Sequence, residues 1–395
     1  MNSPTIQALF IVTLTLIGLG IIAHKHHFKS LNGKTRVAAL REIRALLAPS
    51  SVSLLLLLQQ RAPPNARLVR AFGITNTFVS ADIAVHSSFT HQARTLVRHV
   101  EGQGWNRFAE NALVAVGDCF RAQIKSQGGI SFDTTMQNVA LHVILTSLFE
   151  VPADELNVDD LSIVAKGIND LWRLSKLPDE LPSHLLTDVN TRLRRWVPSQ
   201  PNPIDFIVPA FETMWRVVAI TVAFTHNDPV ALAVLADFLA NPTRTQFGSF
   251  EASGSNLPSA EALVTESIRL YPPTRSISRV STSSKSWFPF WHERPTVVVA
   301  DVGAVHRDAT IWGADADVYH PMRHHSRTSE QTQALLGFGA GRLRCVASGW
   351  APQAAAVIVA AVCGGLANEF EIEEGKEIGG REGWDGWKIR FSREH

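Results

Sequence analysis

A chain of 395 residues with 45% apolar side chains can fill one large core or two smaller ones, and 37 basic residues against 36 acidic ones leave a net charge of +1. That balance gives no sign of a nucleic-acid surface, which would need a basic excess concentrated on one face. Three cysteines, Cys119, Cys345 and Cys363, are odd in number and far apart, which argues against a disulfide framework and for a reducing compartment.

In chain order, residues 6–23 form an apolar run of 18 positions. As a helix it rises about 27 Å, close to the hydrocarbon thickness of a bilayer. No Lys or Arg precedes it, whereas Lys25, Lys29, Lys34 and Arg36 follow. That distribution favours a retained anchor over a cleaved leader and keeps the body cytosolic. The chain thus divides into an anchor (1–24), a linker (25–48) and one body (49–395). Five leucines at 54–58 cannot span a membrane and read as core. Residues 67–98 mix short helical patterns with a polar linker around 75–88, and 139–149 is apolar at helical spacing. Helices are expected at 161–174 and 184–196, broken by Pro178 and Pro182. The apolar stretch 203–224 predicts a long helix crossed by Glu212-Thr213, an acid and a hydroxyl that are costly in an apolar helix unless something uses them. The alternative is a helix starting near Pro209, with Glu212 in its first turn.

Residues 244–258 read as a polar loop. Glu266 and Arg269 share one helix face, which by itself describes a surface pair. A strand is expected at 274–280. The apolar run 351–366 is too short to span and reads as a buried helix. Phe370 and Ile372, then Trp387, Ile389 and Phe391, alternate with polar residues across a glycine-rich turn and predict a terminal hairpin.

The stretch Phe338-Gly339-Ala340-Gly341-Arg342-Leu343-Arg344-Cys345-Val346-Ala347 sets one thiol between a glycine-rich turn and that apolar helix. Its glycines allow close approach to a flat ligand. The helix start after Cys345 points amides at the sulfur and favours the thiolate, while Arg342 and Arg344 can meet negative groups. Taken alone, the loop reads either as the axial ligand of a haem iron or as an inert cysteine before a core helix.

The loop resembles the Phe-Gly-x-Gly-x-Arg-x-Cys-x-Gly/Ala signature of the cytochrome P450 family, with Leu343 where the family carries a basic residue. Glu266-Ser267-Ile268-Arg269 resembles its Glu-x-x-Arg helix. Residues 306–317 with Pro321-Met322-Arg323 resemble its Pro-x-Arg segment, and Pro209-Ala210-Phe211-Glu212-Thr213 resembles its acid–threonine pair in the last two positions. The resemblance implies a mainly α fold with a small β region, the cytochrome P450 fold, preceded by one N-terminal transmembrane helix. It implies haem b with Cys345 as iron ligand and Phe338, Gly339, Gly341, Arg342, Arg344 and Arg279 as cofactor contacts, Glu212 and Thr213 as proton handlers, and a hairpin tip that reaches the substrate. Arg323 would join Glu266 and Arg269 in a buried network that locks the Cys loop.

The implied activity is a monooxygenase that inserts one atom of dioxygen into a small apolar substrate, with electrons from an NADPH-dependent flavoprotein reductase, at the endoplasmic reticulum membrane as a single-pass protein with its catalytic domain in the cytosol. The loop's continuation is most similar to fungal biosynthetic members, which points to secondary-metabolite biosynthesis. The family's propionate-binding Trp-x-x-x-Arg is absent; residues 89–94 stand in its place, where His91 and Arg94 read either as substitutes or as an ordinary solvated helix face, and His306 and Arg279 read either as weaker candidates or as hydrogen-bonded structural groups. The roof over the pocket, 161–203, is short, either as a compact variant or through shortened coding sequence. Two rivals follow: a membrane-tethered haem-binding pseudoenzyme or partner protein, and a haem-thiolate enzyme of rearrangement or dehydration that needs no reductase.

Overall fold

The computed structural model describes residues 34–121, 130–250, 257–281 and 296–391; the expected anchor lies outside them. The order is β1 (Lys34–Val37), α1 (Leu40–Leu47), α2 (Leu54–Phe72), α3 (Ile83–Gln103), α4 (Trp105–Arg121), β2 (Ile130–Ser131), α5 (Phe132–Leu148), α6 (Val158–Leu174), α7 (Ser183–Trp196), α8 (Ile204–Thr225), α9 (Pro229–Ala240), α10 (Ala260–Leu270), β3 (Ser276–Ser281), β4 (Thr296–Asp301), α11 (Ala351–Glu369), β5 (Phe370–Glu373) and β6 (Lys388–Phe391), with short helical turns between.

Helix starts follow side-chain caps that satisfy orphan amides. Ser53 accepts from Leu56 N, Asp82 from Ala84 N, Asn157 from Asp160 N and Ser259 from Ala262 N. The Asp82 cap begins α3 inside the expected linker at 75–88. Thr243 likewise starts a short helix, Arg244–Gly248, where a loop was expected. α2 continues through Pro63 and Pro64, although each proline removes a backbone donor from the ladder.

α8 lies at the centre, packed against α5, α10 and α11. Its apolar side chains are buried almost all round, as are those of α5 and those of α11 over residues 353–363. Each such Val, Ile, Leu or Phe stabilises the fold by roughly 1.5–3 kcal/mol. The exception on α8 is a partly exposed stripe, Phe206, Pro209, Ala210 and Thr213, at spacing that places them on one face. A three-stranded sheet of order β1-β4-β3 has β1 parallel and β3 antiparallel to β4; a second, β2-β6-β5, is antiparallel and closes the expected hairpin.

One boundary shifts. The expected linker, 25–48, is structured from Lys34: β1 pairs with β4, and Ile43 and Leu47 are buried in a second core with Val302, Trp312 and Leu336. An amphipathic eight-residue helix carries too little apolar length to stand out in the sequence.

Candidate functional site

On one side of the Cys loop, α10 supplies a buried ion network. Arg269 and Glu266, both 0% exposed, meet through two bonds, Nε to Oε2 at 2.7 Å and Nη2 to Oε1 at 2.8 Å. Arg323 Nε adds a third at 2.9 Å, and His324 Nε2 lies 2.9 Å from the other oxygen. Arg269 Nη1 also donates to the carbonyls of His306 and Ala316, at 2.6 and 2.7 Å. Burial alone would raise the Glu266 pKa, but the bonds from Arg269 and His324 outweigh it and hold the carboxyl down at about 2. The expected trio is therefore assembled and buried.

His306 extends this network to the Cys loop. It is fully buried, with Nδ1 2.8 Å from the Arg269 carbonyl and Nε2 accepting from Leu336 N at 2.9 Å. A ring that accepts on Nε2 must carry its proton on Nδ1, so it is the neutral tautomer. Burial pushes its pKa down to about 4, with the bond to the Arg269 carbonyl opposing. His306 thus braces Leu336, two residues ahead of Phe338, in the hydrogen-bonded structural role that the sequence left open beside propionate binding.

The Cys loop turns through Gly339 (φ +70) and Gly341 (φ +67), a region that favours glycine. A Cβ on Gly341 would lie 2.8 Å from Ala48 Cα and Cβ, so this glycine lets the loop pack on the end of α1. Gly339 differs: the nearest atom to a Cβ there is Ile277 Cδ1 at 3.9 Å, leaving that face open. Cys345 N donates to Phe338 O at 3.0 Å, and the cysteine is exposed. α11 begins only at Ala351, so its amides do not reach the sulfur as expected. Desolvation by the surrounding protein pushes the thiol's pKa up, opposed by the Ala347 backbone and the Arg344 guanidinium. Cys119 and Cys363 are buried, and burial pushes both thiols up, Cys363 to about 12. They fit a structural role.

Ile277 and Arg279 project from the same face of β3, and Arg279 is 6% exposed. Among the described residues its Nη1 reaches only the neighbouring Ser278 carbonyl, at 2.9 Å, and its Nε has no partner. Arg61, on the buried face of α2 and also 6% exposed, donates to the carbonyl and hydroxyl of Thr77, while its Nε is likewise unpartnered. Both guanidinium pKa values are lowered to about 10, that of Arg279 by desolvation and that of Arg61 by desolvation with a smaller contribution from Arg279. No carboxylate pairs with either among the described residues. Two buried, coupled cations without an acid call for an anion. Thr77 Oγ1 also lies 2.8 Å from His86 Nδ1. The loop carrying Thr77 is pinned to the start of α8, where Asp205 accepts from Thr75 N at 2.8 Å and Thr75 Oγ1 at 2.7 Å.

Among the expected anion ligands, only Arg279 lies in this buried pair. His91 and Arg94 are exposed, as are Arg342 and Arg344, and Arg342 reaches the Val52 carbonyl at 3.4 Å. Arg61 was missed, although Leu57, Leu58, Leu68 and Phe72 place it on the apolar face of α2, where an arginine is an anomaly. Arg94 lines an open cleft of ≈ 590 Å³ with Arg98, Trp105, Arg244, Val346 and Trp350.

Glu212 and Thr213 are adjacent but differently engaged. Thr213, on the partly exposed stripe, donates to the Pro209 carbonyl at 3.2 Å. Glu212 is 2% exposed and held by two arginines, Arg216 Nη2 on Oε2 at 2.6 Å and Arg381 Nε on Oε1 at 2.6 Å. Arg381 belongs to the terminal hairpin, so the acid fastens the hairpin tip to α8.

An accessible thiol, a loop face open at Gly339 and a buried arginine pair form a donor set that fits a flat, anionic, iron-bearing macrocycle. The family model "Cytochrome P450" matches residues 251–362. The chain is similar to two Arabidopsis thaliana proteins, cytochrome P450 709B1 (33% identity over 95 residues, 23% of this chain and 18% of the relative) and cytochrome P450 81D1 (32% over 148 residues, 37% and 28%). It is also similar to a cytokinin hydroxylase of Arabidopsis thaliana, 27% identical over 106 residues, 27% of this chain and 21% of the relative. The chain thus matches between 18% and 28% of these relatives' length. Among solved structures, the heme domain of cytochrome P450DA superposes with a TM-score of 0.60 over 91% of this chain and 87% of that one, at 14% identity, which shows the fold.

Proposed function

We propose that the chain, whose residues 251–362 match the cytochrome P450 family model, is a haem-thiolate monooxygenase inserting one oxygen atom into a small apolar substrate. The observation that carries this reading is the acid-free pair Arg61 and Arg279, beside a loop that presents the thiol of Cys345. In this reading Cys345 would ligate the haem iron, and Arg61 and Arg279 would hold its propionates, with Thr77 and His86 orienting Arg61. Bound there, haem would supply the activation of dioxygen, and its iron the charge that deprotonates a ligating thiol. Thr213 holds a hydroxyl on the open stripe of α8, where it can pass a proton while the apolar helix excludes bulk water. Electrons come from an NADPH-dependent flavoprotein reductase. Residues 1–24 anchor the protein by a single pass in the endoplasmic reticulum membrane, with the catalytic body in the cytosol. The substrate belongs to secondary metabolism.

The test is the ferrous–CO spectrum. Cys345→Ala should lose the thiolate-ligated band, while Cys119→Ser and Cys363→Ala should keep it. A normal band in Cys345→Ala would reject the ligand assignment. Product formed with reductase and NADPH, and not without them, would support the monooxygenase over both a rearrangement enzyme and a haem-binding pseudoenzyme.

A further inference from the structure

Where the hairpin tip meets α2, α6 and α8, cations outnumber acids. Arg381 and Arg67, from opposite ends of the chain, both lie on the indole of Trp172, at 4.9 and 5.0 Å from the ring centroid. Glu212, the buried carboxylate here, is shared by Arg381 and Arg216. Arg67 bonds the neutral Ser175 hydroxyl, and no carboxylate pairs with it among the described residues. Lys176 stands exposed at the rim, and the nearby Glu382 is paired with Arg173 at 3.3 Å. Burial lowers the pKa of Arg67, Arg381 lowers it further, and Glu212 only partly offsets this. A stacked guanidinium in a partly desolvated site, repelled by a second one, is stabilised by an anion that spans both.

We propose that Arg67 and Arg381, stacked on Trp172, bind the carboxylate of an otherwise apolar substrate. Two guanidinium forks suit a planar carboxylate, and the indole supplies a flat wall for the chain that bears it. The proposal rests on the monooxygenase reading and deepens it by naming the substrate's head group. It would also bring the substrate's charge to the arginine that holds Glu212.

Isothermal titration of the haem-loaded protein with decanoate, decanol and decylamine, below micelle formation, isolates the head group on one apolar chain. Decanoate should bind ~10-fold more tightly than decanol, as one added charge-assisted bond implies, with decylamine weakest and the preference shrinking as salt rises. Arg67→Gln should bring decanoate to the level of decanol with haem content unchanged. Equal affinity for decanoate and decanol in the wild type, or a preference surviving in Arg67→Gln, would overturn the proposal. If Arg67→Gln does not fold, the wild-type series and its salt dependence decide. The ferrous–CO spectrum of the same samples reports on the functional reading separately, because calorimetry does not depend on that spectrum.

Discussion

Acidification should weaken the fold through His306 before it reaches the carboxylates. His306 is neutral and fully buried, with a pKa near 4 in the fold against about 6.5 in an unfolded chain. Above pH 6.5 both states are unprotonated and the difference costs nothing. As pH falls from 6.5 toward 4 the unfolded chain takes the proton first, so stability drops, by ~3 kcal/mol once pH 4 is reached. That is a large share of a typical net stability of about 5–15 kcal/mol. His306→Gln removes the titration and keeps a group able to accept from Leu336 N or donate to the Arg269 carbonyl. It should cost about 1–3 kcal/mol at neutral pH through imperfect replacement of two buried bonds. The assay is urea unfolding followed by circular dichroism at several pH values between 7.5 and 4, wild type against variant. Other buried histidines whose pKa values are lowered, His142 and His324, titrate in both proteins, so the difference isolates His306. The wild type should lose the extra stability over that window while the variant's curve is flatter. Parallel curves would show that the ring is not held neutral, and the brace from α10 to the Cys loop would have to be abandoned.

Arg269→Ala leaves Glu266 buried with fewer partners and strips donors from two carbonyls; the cost should reach about 3–5 kcal/mol, seen as loss of soluble haem-loaded protein, and near-normal thermal stability would contradict it. Glu266, held at about 2, adds a later loss of stability as pH falls from 4.5 toward 2, measurable as a second acid transition. Thr213→Ala should leave fold and haem content intact and raise peroxide released per NADPH consumed; unchanged coupling would remove Thr213 from proton transfer. Glu212→Gln should lower the unfolding midpoint as well as slow turnover, because Arg216 and Arg381 lose their shared acid; an unchanged midpoint would mean the ion pairs are weak. Gly341→Ala should disturb haem retention more than Gly339→Ala: both strain a positive φ, by about 1–2 kcal/mol, but only the first meets backbone at 2.8 Å, and equal retention would contradict this.

What the sequence determined by itself is what neighbouring residues decide. Apolar periodicity marked α5, α6, α7, α8 and α11, because a helix face is set by positions three and four apart. The same rule placed Glu266 beside Arg269, and glycine spacing marked the loop around Cys345. Only the tertiary structure brought Arg61 to Arg279, which are far apart in the chain, or set Arg381 on Glu212. It alone decided that Gly341 serves α1, that Cys345 lies short of the helix amides, and that His306 is a brace. Each of these depends on which buried group meets which distant one. An arginine written in a sequence carries the same charge on the surface as in a core; only packing decides whether that charge is screened by water, met by an acid or left for a ligand.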